Sequence, residues 1–256
     1  MSDRMKDKVV LVAGGGSGLG RSAAVRLAGE GARVIVGDLS GPGVDGTLDE
    51  IRETGGEGVG AVFDISDDSS CAELVTVATK TYGAVHGLFN VAADTSEQTL
   101  GRDTDVVTVP LEVWRRSLEV NLTGYFLMAR HTIPALLESG GGAIVNTISG
   151  LVLYGDANRV AYGASKSGIL ALSKHIAIGW GKQGIRCNTI APGLVLTEQS
   201  ALLNSDSYKE EVLSRVHSNR LGVPDDISSA VAFLLSDEAS WINGQVLPVN
   251  GGRGLG

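Results

Sequence analysis

The sequence predicts a single-domain α/β protein over residues 1–256, a doubly wound parallel sheet of about seven strands with helices on both faces. Three observations predict it. Short β-branched runs alternate with amphipathic stretches, a rhythm that right-handed crossovers turn into a parallel sheet. A glycine-dense turn, GGGSGLG from Gly14 to Gly20, joins the first of those runs to the first amphipathic stretch. No repeat, proline-rich linker or low-complexity tract divides the chain, and its length suits one continuous core.

In order, the expected strands are Val9 to Val12, Arg33 to Val36, Gly58 to Phe63, Gly87 to Asn90, Ala143 to Ile148 and Ile185 to Ile190. Between them, helical patterns cover Arg21 to Ala28, Cys71 to Thr81, Leu111 to Leu137 as one long helix, and Ala161 to Gly181. Gln245 to Val249 adds a last strand, and Pro248, which has no amide to donate, means either that the strand lies at an edge or that this amide is not needed in the ladder. The least regular stretches, Asp94 to Val109 and Leu194 to Ser207, each follow a strand. Both should therefore emerge at the carboxyl edge of the sheet, where open α/β folds bind ligands.

Charge excludes some partners. The net charge is −8, and no basic cluster exceeds the pair Arg115 and Arg116, so neither nucleic acid nor an anionic membrane is expected. Cys71 and Cys187 are too far apart in sequence for a redox or metal pair, which suits a reducing compartment. The start MSDRMKDK and the short apolar run after it resemble neither a signal peptide nor a membrane span. A cytoplasmic location is the expectation. His86, His131, His175 and His217 lack metal-ligand spacing, so no metal is expected, and Trp114, Trp180 and Trp241 read as core or interface aromatics.

Gly14, Gly18 and Gly20 follow a G-x-x-x-G-x-G spacing. Glycines there permit positive φ and let a backbone pass close to a pyrophosphate, with a helix N-terminus facing the anion. A plain helix-capping loop would look the same. Asp38, at the end of the second strand, can accept both ribose hydroxyls of an adenosine and would repel a 2′-phosphate, which favours NAD over NADP. Its alternative reading is a solvated loop acid or cap, and Asp64 shares that ambiguity.

AYGASK puts Tyr162 and Lys166 on one helix face. Alone, that spacing fits a surface pair, but Ser149 ends the preceding apolar strand and can join them. A tyrosine acting as a base near neutral pH needs its pKa lowered by about three units, about 4 kcal/mol. An exposed lysine contributes about 0–1 kcal/mol, so Lys166 must act from a desolvated pocket. On this reading Tyr162 is the acid/base, Lys166 lowers its pKa and holds a ribose, and Ser149 orients the carbonyl or alcohol.

These separated motifs, with NVAA at Asn90, EVNLTG around Asn121, IAPG at Pro192 and Gly193, and Thr197, resemble the short-chain dehydrogenase/reductase family across essentially the whole chain. The resemblance implies a Rossmann fold. It implies Asn121 as a fourth catalytic residue, holding a water in a proton relay from Lys166; by itself Asn121 reads as a helix-interior polar residue or a cap. It also implies cofactor contacts from Gly14, Ser17, Gly18, Leu19, Gly20, Asp38, Asp64, Ile65, Asn90, Ala92, Tyr162, Lys166, Pro192, Gly193, Val195 and Thr197. A lid at about 194–215 and a homotetramer complete what it implies. Two positions depart from the family: Ala13 replaces a common threonine, and Asn90-Val91-Ala92-Ala93 replaces Asn-Asn-Ala-Gly.

Leu151, Val152, Leu153, Val160, Leu194, Val195 and Leu196 predict an apolar substrate cavity, with Leu151, Asn158 and Leu194 as pocket residues, while Asp94, Asp156 and Arg159 could also face it. The expected function is NAD-dependent interconversion of a hydrophobic secondary alcohol and its ketone. The alternatives are an NADPH-dependent 3-oxoacyl thioester reductase and a non-catalytic cofactor sensor. Asp38 argues against the first, and the presence of Asn121, Ser149, Tyr162 and Lys166 together argues against the second.

Overall fold

The computed structural model describes residues 3–254. Seven parallel strands form one sheet in the order β3-β2-β1-β4-β5-β6-β7. They are β1 (Val9–Ala13), β2 (Arg33–Asp38), β3 (Glu57–Val62), β4 (Gly87–Asn90), β5 (Gly142–Thr147), β6 (Ile185–Pro192) and β7 (Val246–Val249). All seven expected strands are present. Pro248 lies on the edge strand β7, the first of the two alternatives its missing amide allows.

The chain builds β1, β2 and β3 in one direction, then returns past β1 to start β4, so β1 and β4 form the switch point. Helices α1 (Gly18–Gly29), α2 (Gly41–Glu53) and α10 (Pro224–Leu235) cover one face. Leu27, Val44, Ile51 and Val231 pack there against Val10, Val34 and Val36 of the strands. The other face is covered by α3 (Asp68–Tyr82), α5 (Gly124–Glu138) and α7 (Val160–Trp180), with α4 (Leu111–Leu118) packed on α7. Their core includes Leu74, Tyr125, Met128, Leu136, Ile169 and Ile176 against Leu11, Ile35, Leu88 and Ile144. The alternation along each strand thus feeds two cores, which is why the strands read as near-continuous apolar runs.

The expected long helix from Leu111 to Leu137 is not continuous. A π-helical segment, Glu119–Thr123, separates α4 from α5. One wide turn of this kind leaves the apolar pattern nearly intact, so periodicity cannot reveal it, and such turns recur at functional sites. Here it contains Asn121. The segment read as irregular after β6 is also more ordered than expected. It forms α8 (Glu198–Leu203), opened by a reciprocal cap between Thr197 and Ser200, and α9 (Asp206–Ser214). A short α6 (Leu151–Tyr154) precedes α7. Trp241 is 97% exposed, so it is not a core residue of this chain. Among the described residues, no helix is long and apolar enough to cross a membrane.

Candidate active site

A cleft of about 810 Å³ opens along the carboxyl ends of the strands. Its walls come from the segments that follow β1, β2, β3, β4, β5 and β6. Of the expected cofactor contacts, Gly14, Ser17, Gly18, Leu19, Gly20, Asp38, Asp64, Ile65, Ala92, Pro192, Gly193, Val195 and Thr197 line it together with Ser149, Tyr162 and Lys166.

The glycine turn is built to keep side chains out. Gly14 and Gly18 adopt φ of 96° and 50°. A Cβ on Gly20 would lie 1.9 Å from the Gly14 carbonyl oxygen, and one on Gly14 would lie 2.6 Å from the Ala92 nitrogen. Backbone, not side chain, therefore forms this end of the cleft, which fits the close approach of a pyrophosphate. Asp38 braces the turn: its Oδ2 accepts from the Gly16 amide at 2.9 Å and its Oδ1 from the Ser40 amide at 3.0 Å. The nearby basic residue, Arg21, is committed elsewhere, donating to the Gly16 carbonyl at 2.7 Å and to Glu50 at 3.2 Å.

Lys166 reaches the cleft floor from within the core and is 1% exposed. Its Nζ donates to the Thr147 carbonyl at 3.0 Å and lies 3.4 Å from the Tyr125 hydroxyl, itself fully buried. It stands 5.6 Å from the centre of the Tyr162 ring. Burial without a carboxylate partner pulls the ammonium down to about 7. Burial likewise holds the Tyr162 hydroxyl above its ordinary value, opposed by a hydrogen bond with Ser149 and by the charge of Arg159. The expectation is that Lys166 acts from a desolvated pocket with help from a positive nicotinamide ring; in the chain alone, the contributions opposing burial at Tyr162 come from Ser149 and Arg159. The lysine is desolvated, as that argument requires, and desolvation weakens its own charge.

Four expected site residues, Asn90, Asn158, Leu151 and Asn121, do not line the cleft. Asn90 is fully buried and donates from Nδ2 to Asn146 at 2.8 Å, tying β4 to β5, while its Oδ1 has no partner. Asn158 is exposed in a turn where its amide donates to Asp156. Leu151 begins α6, and its side chain lies against Gly163 of α7 and does not line the cleft. Of the expected pocket residues only Leu194 lines the cleft. Asn121 is buried beside it, accepting from the Asp94 amide at 3.0 Å and facing the Ser165 hydroxyl at 3.5 Å. It links the loop after β4 to α7.

The substrate end is more polar than its sequence suggested. Asp94, Ser96, Glu97, Arg116 and Arg159 line it, joined by Ser200, Asn204 and Tyr208 from α8 and α9. Burial opposes ionisation of Asp94, but donors from Ser96, Thr99 and Arg116 outweigh it and hold the carboxyl below its usual range.

Sequence reading missed Asp103. Its carboxylate, 5% exposed, accepts the amides of Ala161 at 3.0 Å and Tyr162 at 2.7 Å, capping the first turn of α7 from a distant loop. Its carbonyl also accepts from the Arg159 amide at 3.1 Å. No local pattern signals a cap supplied from so far along the chain. Among the described residues, no cluster of histidine, cysteine, aspartate and glutamate could hold a metal.

Comparison with known proteins agrees with this geometry. A family model described as enoyl-(acyl carrier protein) reductase matches residues 13–253. The chain is 33% identical to the 7alpha-hydroxysteroid dehydrogenase of Bacteroides fragilis, covering 98% of this chain and 95% of the relative. It is 36% identical to the cyclohexanol dehydrogenase of an Acinetobacter species, covering 98% and 96%. A solved 7 alpha-hydroxysteroid dehydrogenase, complexed with NADH and 7-oxo glycochenodeoxycholic acid, superposes with a TM-score of 0.91 at 30% identity, covering 98% of this chain and 96% of that one.

Proposed function

The chain belongs to the short-chain dehydrogenase/reductase family and is an oxidoreductase acting on CH–OH groups; from this we propose that it is an NAD-dependent dehydrogenase interconverting a cyclic secondary alcohol and its ketone. One observation supports this reading above the others: the glycine turn, Asp38, Ser149, Tyr162 and Lys166 share one cleft. The relatives named for cyclohexanol and for a hydroxysteroid point toward ring substrates.

On this reading the backbone from Gly14 to Gly20 takes the pyrophosphate, and Asp38 and Asp64 face the adenosine half. Pro192, Gly193, Val195 and Thr197 face the nicotinamide half, with Thr147 and Lys166 beneath it. When bound, the oxidised dinucleotide supplies the hydride acceptor and a positive ring charge. Tyr162 takes the proton from the alcohol oxygen during oxidation and returns it during reduction. Ser149 hydrogen-bonds the same oxygen and fixes its distance from Tyr162. Lys166 holds the ribose and, together with the positive ring of the bound dinucleotide, favours the ionised form of Tyr162. The segment at about 194–215, with α8 and α9, closes over the substrate and excludes water.

Asp38 supports NAD over NADP, since its carboxylate would meet a 2′-phosphate while Arg21 is held by Gly16 and Glu50. The assembly we propose is a homotetramer; Phe126 on α5 and Ile178 on α7, 48% and 83% exposed, suit burial between copies.

The test is reduction of NAD, and in parallel NADP, followed by absorbance with cyclohexanol and a hydroxysteroid, using the native chain and Tyr162→Phe. The expected result is turnover with NAD that falls by about 100-fold or more in the variant. Activity confined to NADP and 3-hydroxyacyl thioesters would move the chain to the thioester reductases, and an undiminished rate in folded Tyr162→Phe would remove the tyrosine from its role.

A further inference from the structure

We propose that Arg159 forms a carboxylate-binding subsite at the substrate end of the cleft, so that the cyclic alcohol this chain oxidises carries a negative charge. The inference deepens the secondary-alcohol reading and rests on it for the position of the reacting oxygen.

Three cations line the cleft. Lys166 lies on the floor against the Thr147 carbonyl. Arg116 is paired with Asp94 at 3.2 Å and with Glu119 at 3.1 Å. Arg159 has no ion pair and its side chain makes no hydrogen bond among the described residues, although it is only partly exposed. A cation held in a cleft wall without a partner is the feature a ligand anion completes.

Its placement is enforced. Arg159 takes the left-handed conformation, φ 62° and ψ 43°, which is uncommon for a residue with a Cβ. Two hydrogen bonds hold it there, from the Arg159 amide to the Asp103 carbonyl at 3.1 Å and from the Gly163 amide to the Arg159 carbonyl at 2.8 Å. Backbone strain kept in place by surrounding structure is a mark of functional positions. The residue lies three positions before Tyr162, and its charge lowers the hydroxyls of both Tyr162 and Tyr154.

The surrounding acids do not cancel it, since the Asp103 carboxylate is taken by the amides of Ala161 and Tyr162. Asp94 is occupied by Ser96, Thr99 and Arg116. Asp38 accepts from the Gly16 amide of the glycine turn and Asp64 from the Ser66 amide. Glu97 and Asp156 are exposed, and Asp156 does not line the cleft. A single guanidinium with Asp94 and Glu97 in the same walls favours a planar carboxylate, which it can bind with two parallel N–H donors, over a dianionic phosphate. On this reading the carbinol of the ring meets Tyr162 and its carboxylate meets Arg159, both of which line the same cleft.

The experiment compares oxidation of 4-hydroxycyclohexanecarboxylate with its neutral carboxamide and with cyclohexanol, by the native chain, Arg159→Gln and Arg159→Lys. The native chain is expected to favour the carboxylate over the carboxamide at least tenfold in kcat/KM, chiefly through KM. Arg159→Gln should bring that ratio near one, and Arg159→Lys should restore part of it. A ratio unchanged by Arg159→Gln, both substrates slowing together, would mean that Arg159 acts on Tyr162 alone and would overturn the subsite. So would turnover of cyclohexanol with neither ring derivative accepted. Calorimetric binding of cyclohexanecarboxylate needs no turnover. Binding weakened at least tenfold by Arg159→Gln would support the subsite even if no alcohol is oxidised, in which case the secondary-alcohol reading alone fails. Equal or absent binding in both proteins would sink the subsite whatever the activity.

Discussion

Asp103 accepts the backbone N–H of Tyr162 at 2.7 Å, although the two lie 59 residues apart in sequence. The same carboxylate takes the Ala161 amide, so the loop after β4 holds the first turn of α7 in place. Asp103→Ala leaves two amides without an acceptor, one of them in a fully buried residue, and is expected to cost about 1–3 kcal/mol of stability. Turnover should fall while dinucleotide affinity stays within a few-fold, and Asp103→Asn, with one acceptor oxygen, should recover part of both losses. Urea unfolding together with cofactor titration checks this; an unaltered kcat in Asp103→Ala would separate the cap from the chemistry.

Lys166 titrates at about 7 in the folded chain because it is buried, and near 10 when unfolded. Below pH 7 both states carry the proton and the fold bears the full cost of the buried charge. Between pH 7 and 10 the folded chain has released a proton that the unfolded chain still holds, so rising pH stabilises the fold. The stability of native protein relative to Lys166→Met should therefore climb across that window by up to about 1 kcal/mol per pH unit. Parallel denaturant curves at several pH values measure it, and a flat difference would contradict the burial argument.

Asp38→Ser removes a carboxylate from the adenosine end of the cleft and its bonds to the Gly16 and Ser40 amides. Affinity for NADH should drop about tenfold, about 1.4 kcal/mol, while that for NADPH rises. Fluorescence titration of both reduced cofactors tests it; unchanged preference would show that discrimination lies elsewhere.

Gly20→Ala places a methyl 1.9 Å from the Gly14 carbonyl oxygen, a distance no local adjustment of a side chain can relieve. The turn must move, and dinucleotide binding is expected to be lost before the sheet unfolds. Circular dichroism with calorimetric cofactor titration distinguishes the two, since native-like affinity in the variant would show the turn to be more pliable than its contacts imply.

The central strands were legible because each is a short apolar run buried on both faces, and the partly exposed edge strands β3 and β7 because turn residues bound their short β-branched runs; none needs a distant partner to be recognised. Helix α2 was not singled out, since Gly41, Gly43 and Gly46 obscure its apolar face; burial of Val44, Leu48 and Ile51 against the sheet outweighs their low helix propensity. The π-helical turn at Asn121 was hidden for the opposite reason, because its flanking helices keep a helical pattern on both sides. Ser149, Tyr162 and Lys166 were found because strand ends and i, i+4 spacing are local geometry.

The sequence by itself determined the order of strands and helices along the chain, the carboxyl edge of the sheet as the place for a site, and the residue types that meet there, since all of these follow from periodicity, turn chemistry and chain direction. Only the tertiary structure decided which side chains face that cleft. Asn90 turned into the sheet toward Asn146, Leu151 and Asn158 fell outside, and Asp103 and Arg159 came to flank Tyr162. Those outcomes depend on contacts between segments far apart in sequence, and a pattern read along one segment holds no information about what another will place beside it.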